Sequence, residues 1–194
     1  TDCVFDGKKQ GAYTENDAAQ ALGVYGASKL AGEKDVQELC SKHLIFRVSW
    51  MFSEFGHNFV KTMLHLGSTR EQLRVVSDQV GKPTCAAEVV RVVLEILPTL
   101  CSEQDKNLDA KSDSKWGIYH LAQPEVISWH GFAQAIFDQD KLKVKEILPI
   151  PTSDYPTPAR RPANSTLDST KLQQTFSIAL IDWQQSLAET LTAL

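Results

Sequence analysis

The sequence predicts an α/β fold built around a parallel, doubly wound sheet. Short apolar segments rich in β-branched and aromatic residues alternate along the 194-residue chain with segments whose apolar residues recur at helical spacing. The composition, 42% hydrophobic and 23% charged, is that of a globular protein long enough to bury a sizeable core. We find no internal repeat in the sequence.

The first predicted elements are a strand end, a helix and a strand. Residues Thr1 to Phe5 of TDCVFDG are typical of the end of a buried strand, and Asp6-Gly7 is typical of a turn. After a polar loop, a helix is predicted from about Tyr25 to Lys42. Its apolar stripe consists of Leu30, Val36, Leu39 and Cys40. The apolar run LIFRVSW then predicts a buried strand.

The remaining elements continue the alternation. Helices are predicted for NFVKTMLHL, for CAAEVVRVVLEIL up to about Pro98, for SWHGFAQAIFDQ with Ser128 as its cap, and from about Ile181. Strands are predicted for LRVVSD, GIYHLA and EILPI. The charged segment SEQDKNLDAKSDSK is predicted to be an exposed loop, and the proline-rich PIPTSDYPTPARRP to be irregular.

Charge and cysteine usage exclude several classes of function. The net charge of −4, without a basic stripe, argues against nucleic acid or an anionic membrane as a partner and favours a small molecule. The apolar runs are shorter than the ~20 residues of a membrane span, so we expect a cytoplasmic protein. The four cysteines form no CxxC motif and the histidines no HxxxH motif, so we expect reduced, buried thiols and no structural metal.

Three polar features are predicted to meet at one edge of the sheet. Ligands of doubly wound sheets bind outside the carboxyl ends of the strands. Thr1-Asp2, the start of the Tyr25 helix, and Ser49-Trp50 all lie at such ends in the predicted arrangement. We therefore expect a ligand site there.

Tyr25 and Lys29 lie four residues apart in VYGASKLAGEK, which places them on one face of a helix. A free phenol titrates near pH 10, and a nearby ammonium favours the phenolate. A phenol tuned in this way can donate or accept a proton near neutrality. Gly26 and Gly32 flank the pair at a cost to the helix, which indicates close packing there.

Seven motifs in this order and spacing resemble the dTDP-4-dehydrorhamnose reductases, a family of extended short-chain dehydrogenases/reductases. The motifs are TDCVFDG, the polar loop, VYGASKLAGEK, FRVSW, the NF of HNF, DQVGKPT and RPANSTL. The resemblance implies the remaining half of a Rossmann-type sheet plus a smaller α/β substrate-binding lobe. Residues 1–54 and 84–123 would belong to the NAD(P)-binding domain, and residues 55–83 and 124–194 to the substrate lobe.

The resemblance also implies a site. Tyr25, Lys29 and Thr1 would be catalytic, with Tyr25 and Lys29 also contacting NADPH or NADH, while Thr1, Asp2 and Trp50 would bind a dTDP-sugar. Two other interpretations stay open: Trp50 as a plain core aromatic, and Asp2 as a partner of backbone amides. The implied reaction is reduction of the 4-keto group of dTDP-4-dehydro-6-deoxy-L-mannose to dTDP-L-rhamnose.

Two departures from the family limit what this chain is expected to do alone. Family members usually carry tyrosine at the position of Cys3, and a thiol cannot replace the reach and hydrogen bond of a phenol. The sequence contains no GxGxxG or GxxGxxG turn to bind a dinucleotide. With the abrupt start at Thr1, this predicts that an N-terminal third is missing and that the chain alone binds NADPH weakly and is inactive.

Further alternatives come from the same resemblance. The family includes a non-catalytic member, the regulatory β subunit of methionine adenosyltransferase, which binds a partner protein. Arg160-Arg161 is either a phosphate contact or, as the RPxxS pattern favours, part of a structural segment. A homodimer is possible.

Overall fold

The structure is a computed structural model that describes residues 1–100, 115–139 and 144–194. The helices of this part are α1 Val24–Leu39, α2 Phe59–Thr69, α3 Ala86–Leu100, α4 Trp129–Asp138, α5 Thr170–Phe176 and α6 Trp183–Thr192. Its strands are β1 Leu44–Arg47, β2 Met51–Phe52, β3 Gln72–Val76, β4 Val80–Gly81, β5 Thr84–Cys85, β6 Gly117–His120, β7 Ile127–Ser128 and β8 Glu146–Ile150. Short 3-10 helices span Asp2–Val4 and Thr152–Asp154.

The predicted α/β class with parallel strand pairing is confirmed. β1 pairs in parallel with β6, β2 with β5 and β3 with β8, whereas β4 and β7 are antiparallel. In the described part of the chain these pairs form four two-stranded sheets. Parallel partners lie far apart in sequence because each return connection contains at least one helix.

Three apolar clusters hold these elements together. The first lies between β3, α2, α4 and α6 and contains Phe132 and Trp183. The second lies between α3, β6 and α5 and contains Ile96 and Leu172. The third contains Val4, Phe5 and Leu167 and lies beneath the N-terminal 3-10 helix.

Most elements with a clear period form where the sequence predicts them. β3, β6, β8, α2 and α4 overlap their predicted segments, and the Ser128 hydroxyl caps α4 by accepting a hydrogen bond of 3.0 Å from the backbone N–H of Gly131. α3 continues two residues past Pro98. Residues 101–114, which include most of the predicted charged loop, lie outside the described residues.

The prediction of a strand end at Thr1 to Phe5 is wrong. Asp2–Val4 form a 3-10 turn in which the Thr1 hydroxyl accepts a hydrogen bond of 3.3 Å from the backbone N–H of Cys3. A hydroxyl one residue before a turn competes for backbone N–H groups that a strand would use in its ladder. Val4 and Phe5 are nevertheless buried, as the apolar pattern predicts.

The predicted apolar stripe of α1 is also wrong, except for Leu30, which packs against the third apolar cluster. The helix ends at Leu39, three residues before the predicted end, and Val36, Leu39 and Cys40 are exposed. Its buried positions are Gly26 and Glu33. A search for apolar residues at helical spacing does not find this buried face, because Gly26 has no side chain and Glu33 is acidic.

Three further features differ from the predictions. LIFRVSW is not one strand, because β1 ends at Arg47 and β2 begins at Met51. α5 and the two-residue strands are missed because they are too short to show a period. The division of the chain into two lobes at residues 54/55, 83/84 and 123/124 stays a prediction.

The described cysteines are free, but they are not all buried. Cys85 is buried, Cys3 is half-buried and Cys40 is exposed. None of the helices among the described residues is both long and apolar enough to cross a membrane. The same residues bring together no group of three or more His, Cys, Asp or Glu side chains that could hold a metal ion.

Candidate active site

Thr1 and Asp2 lie beside the end of β1. The backbone N–H of Asp2 donates a hydrogen bond of 3.1 Å to the carbonyl oxygen of Val48, directly after that strand. The Thr1 hydroxyl donates to Oδ1 of Asp2 over 3.0 Å. Thr1-Asp2 therefore lies next to Val48, the residue before Ser49-Trp50.

Burial dominates the chemistry of Asp2. Its side chain is nearly out of water, and desolvation raises the pKa of the carboxyl, although hydrogen bonds from Thr1 and Ser165 act in the opposite direction. Its carboxyl interacts with two hydroxyl side chains, not only with backbone amides as one interpretation had it. Ser165 is the serine of the RPANSTL motif, for which the sequence interpretation predicted no contact with Asp2.

Tyr25 and Lys29 occupy the first turns of α1. The Nζ atom of Lys29 lies 5.8 Å from the centroid of the Tyr25 ring. Tyr25 is 58% exposed, and Lys29 is exposed as well. Within the described ranges, neither the Tyr25 hydroxyl nor the Lys29 ammonium makes a hydrogen bond or salt bridge, so both polar groups are available to a ligand.

Gly26 is the point at which α1 meets the N-terminal 3-10 helix. A Cβ atom at this position would overlap the backbone carbonyl oxygen of Cys3. The absence of a side chain therefore lets the residue after Tyr25 pack directly on the segment that carries Thr1 and Asp2. The close packing predicted at both glycines is thus found at Gly26. It is not found at Gly32, because a Cβ there would meet nothing within 4 Å.

Trp50 is held in an unusual conformation. Its backbone has φ 45°, in the left-handed region that a large side chain rarely adopts. The ring stacks on Trp129 with centroids 3.5 Å apart, and a Cβ on Gly81 would lie 2.5 Å from its Cε2 atom. Such strain persists only where the surroundings enforce it, and it is common at functional sites.

Trp129 and Gly81 are site residues that the sequence interpretation missed. Trp129 lies at the start of α4 and also packs on Phe59, with ring centroids 4.6 Å apart. Gly81 lies within the motif DQVGKPT, which is the sequence feature that could have identified it. Nothing local to Trp129 marks it as the partner of a residue so distant in sequence.

The RPANS segment packs against the N-terminal loop, which favours its structural interpretation. A Cβ on Gly7 would lie 2.5 Å from Cβ of Pro162. The Asn164 side-chain amide donates hydrogen bonds of 2.8 and 2.7 Å to the carbonyl oxygens of Lys9 and Gly11. Arg160 and Arg161 are exposed.

Cys3 occupies a half-buried position at the same edge. Burial raises the pKa of its thiol, the nearby Asp2 carboxylate acts in the same direction, and the positive charge of Arg161 acts against them. The thiol is thus kept in its neutral form. Arg161 is the member of the arginine pair whose charge reaches this edge.

Comparisons with known proteins find a matching family model and similar proteins. Residues 1–194 match the family model described as RmlD substrate binding domain. The dTDP-4-dehydrorhamnose reductase of Aggregatibacter actinomycetemcomitans is 46% identical over 192 residues, which cover 96% of this chain and 63% of that protein. The corresponding protein of Escherichia coli strain K12 is 42% identical over 196 residues, which cover 95% of this chain and 60% of that protein.

A solved structure has the same fold. The crystal structure of dTDP-4-dehydrorhamnose reductase from Bacillus anthracis, in complex with NADP, matches with a TM-score of 0.87 and 33% identity. The match covers 100% of this chain and 63% of that chain. This chain therefore spans between 60% and 63% of the length of the relatives described here.

Proposed function

This chain belongs to the RmlD substrate binding domain family, and from this membership we propose that it supplies the sugar-binding and proton-donating side of an NAD(P)H-dependent reductase. The substrate is a dTDP-4-dehydro-6-deoxy-L-mannose, and the product is dTDP-L-rhamnose. The names of the relatives, dTDP-4-dehydrorhamnose reductases at 46% and 42% identity, support this substrate class.

The observation that carries the proposal is the free polar face of α1. Tyr25 and Lys29 lie side by side, with Nζ 5.8 Å from the ring centroid, and the described residues leave both polar groups unbonded. Because both groups are exposed, a ligand can bind them without breaking a contact of the fold. The donor set also suits a dinucleotide, because the three N–H donors of Lys29 can bind ribose hydroxyls.

Tyr25 acts as the general acid in this proposal. When bound, a reduced nicotinamide supplies the hydride that adds to the carbonyl carbon. The Tyr25 hydroxyl gives its proton to the carbonyl oxygen, so that the negative charge developing there is neutralised. Lys29 stabilises the phenolate that this leaves behind.

Thr1 and Asp2 hold the other side of the carbonyl oxygen. A hydroxyl has one proton, and that of Thr1 is directed at Oδ1 of Asp2 over 3.0 Å. Thr1 can therefore donate to the substrate oxygen only after it rotates away from Asp2.

Trp50 supplies an apolar surface for the deoxysugar ring. Its strained backbone and its stack on Trp129 fix the plane of the indole before a ligand arrives. A pre-formed surface loses little side-chain entropy on binding. The stacked arrangement supports a ligand platform in preference to a plain core aromatic, because a core position alone does not require the strain.

The cellular setting follows from the same proposal. We place the protein in the cytoplasm, where the three free cysteines among the described residues are in keeping with a reducing environment. The net charge of −4 supports a small-molecule partner in preference to nucleic acid. A homodimer stays a prediction.

Cofactor binding is proposed to need more than residues 1–194. The sequence holds no glycine-rich dinucleotide turn, and the chain spans 63% of the relative crystallised with NADP. We expect residues 1–194 alone to bind NADPH weakly and to be inactive. Titration of nicotinamide fluorescence tests this, and tight, saturable binding would contradict it.

The proposed function is tested by turnover. The complete gene product that includes residues 1–194 is incubated with NADPH and dTDP-4-dehydro-6-deoxy-L-mannose, and both NADPH oxidation and dTDP-L-rhamnose are quantified. We expect equal amounts of NADP and dTDP-L-rhamnose. No turnover together with tight binding of a partner protein would favour the non-catalytic alternative.

A further inference from the structure

Glu33 and Arg47 form a buried ion pair between α1 and β1. Nε of Arg47 donates to both carboxylate oxygens of Glu33 at 3.1 Å, and a terminal guanidinium nitrogen donates to Oε2 at 2.6 Å. Only 5% of the Arg47 side chain and 7% of the Glu33 side chain are exposed. The ion pair is therefore multidentate and almost inaccessible to solvent.

The Arg47 guanidinium also contacts buried residues of β6 and of the N-terminal segment. Another guanidinium nitrogen of Arg47 lies 3.4 Å from Nε2 of His120, whose Nδ1 lies 2.9 Å from the carbonyl oxygen of Tyr13. The guanidinium also lies over the ring of Phe5, 5.2 Å from its centroid. Arg47 is thus fixed by neighbours that do not belong to α1.

α1 has few other buried anchors. Gly26 and Glu33 are its buried residues, half-buried Leu30 packs against the third apolar cluster, and its apolar side chains Val24, Val36 and Leu39 are exposed. Gly26 sets how closely the start of the helix approaches Cys3, but a glycine alone does not fix rotation about the helix axis. The Glu33 contact supplies a second fixed point through directional hydrogen bonds, which the apolar contact of Leu30 does not provide.

Tyr25, Lys29 and Glu33 follow one another at intervals of four residues, so they lie along one face of α1. We propose that Arg47 is a positioning residue that acts through Glu33 to orient Tyr25 and Lys29; this inference rests on the proposed reductase function. By holding Glu33, Arg47 fixes the rotation of this face. It also keeps the carboxylate from pairing with Lys29, one turn away.

Stability alone does not account for such a pair. Moving two charges out of water costs about as much as their attraction returns, and an apolar pair of similar volume is often as stable. Orientation of a helix that carries exposed polar groups is a role that an apolar pair fills less well. Removing Arg47 alone would leave Glu33 buried, unpaired and within reach of Lys29.

The test uses the complete gene product and four variants. Arg47→Met removes the partner, Glu33→Leu/Arg47→Met removes both charges, and Glu33→Leu removes the carboxylate alone. Arg91→Met is the control, because Arg91, whose side chain is 36% exposed, pairs at 2.7 Å with the buried Glu88 within another helix, α3. Circular dichroism and thermal unfolding establish the folded fraction, and kcat and KM for the dTDP-sugar are measured on folded protein.

We expect Arg47→Met to lower kcat about 10²-fold, the cost of misplacing a reacting group, with KM for the sugar changed less than about threefold. The double variant should regain about tenfold in kcat because no carboxylate remains to capture Lys29. Arg91→Met should lower the unfolding temperature and leave kcat unchanged. A role in folding alone would instead lower the folded fraction and leave kcat of the folded protein unchanged.

Several outcomes would overturn the inference. Folded Arg47→Met with wild-type kcat would do so, as would an equal loss of kcat in Arg91→Met. If Arg47→Met does not fold, the double variant decides: kcat about tenfold below wild type supports the inference, and wild-type kcat overturns it. A wild-type protein without turnover would instead overturn the proposed function, and this inference with it.

Discussion

The indole rings of Trp50 and Trp129 are stacked, with centroids 3.5 Å apart and planes inclined by 9°. Trp129 is the first residue of α4, whereas Trp50 stands between β1 and β2 with a left-handed backbone. The stack therefore couples the edge of the N-terminal elements to a helix much later in the chain. It also explains how the strained conformation of Trp50 is maintained.

Truncation of Trp129 should weaken binding of the dTDP-sugar. Trp129→Ala removes the support of the Trp50 ring, and loss of an aromatic stack costs about 1 kcal/mol, roughly fivefold in affinity. Trp129→Phe keeps an aromatic surface and should lose less. Calorimetric titration with the dTDP-sugar checks this order, and equal affinity of Trp129→Ala and wild type would contradict a supporting role.

Alanine at the two glycines of α1 should have opposite effects. Gly26→Ala would push the helix away from the Cys3 carbonyl, so we expect a loss of about 2 kcal/mol in stability and a lower kcat. Gly32→Ala meets nothing within 4 Å and should raise stability by about 0.5 to 1 kcal/mol. Urea unfolding measures both, and a stabilising Gly26→Ala would show that the close approach to Cys3 is not required.

His120 should make stability depend on pH. Burial lowers its pKa from 6.5 to about 4, and the positive charge of Arg47 acts in the same direction. The unfolded chain binds a proton below pH 6.5, whereas the folded protein does so only near pH 4. The stability contributed by neutral His120 is therefore fully present above pH 6.5 and is lost as the pH falls toward 4.

The size of this effect can be measured by urea unfolding at pH 7 and pH 5. We expect a loss of about 2 kcal/mol from His120 between these values. His120→Gln stays neutral and should show a smaller pH dependence, while Asp2, whose raised pKa acts with the opposite sign, is present in both proteins and cancels. The same pH dependence in both proteins would mean that His120 is not the responsible group.

The sequence predicts a local pair of side chains better than it predicts the packing around them. Local spacing was sufficient to pair Tyr25 with Lys29, whereas Thr1-Asp2 lies next to Val48 through a 3-10 turn and not through the predicted strand end. Trp129 could not be predicted, because its contact with Trp50 depends on how α4 packs and not on any local pattern.

The fold shows the same division between local and distant interactions. Helices α2, α3 and α4 have a period that the sequence displays, and they form as predicted. α1 misled the periodicity argument because its buried face consists of Gly26 and Glu33, and the partner of Glu33 comes from a different element. The 3-10 turn at Asp2–Val4 is capped by the Thr1 hydroxyl and closed by a backbone hydrogen bond from Phe5 to Asp2, neither of which the strand-like composition indicates.

The most direct test of the account is the exchange of one hydroxyl. Tyr25→Phe in the complete gene product removes the proposed proton donor, and Tyr155→Phe is a matched control because the two tyrosines are 58% and 57% exposed. We expect kcat for NADPH-dependent reduction of the dTDP-4-keto sugar to fall about 10²- to 10⁴-fold in Tyr25→Phe and to stay unchanged in Tyr155→Phe. Equal kcat values for Tyr25→Phe and wild type would contradict the account.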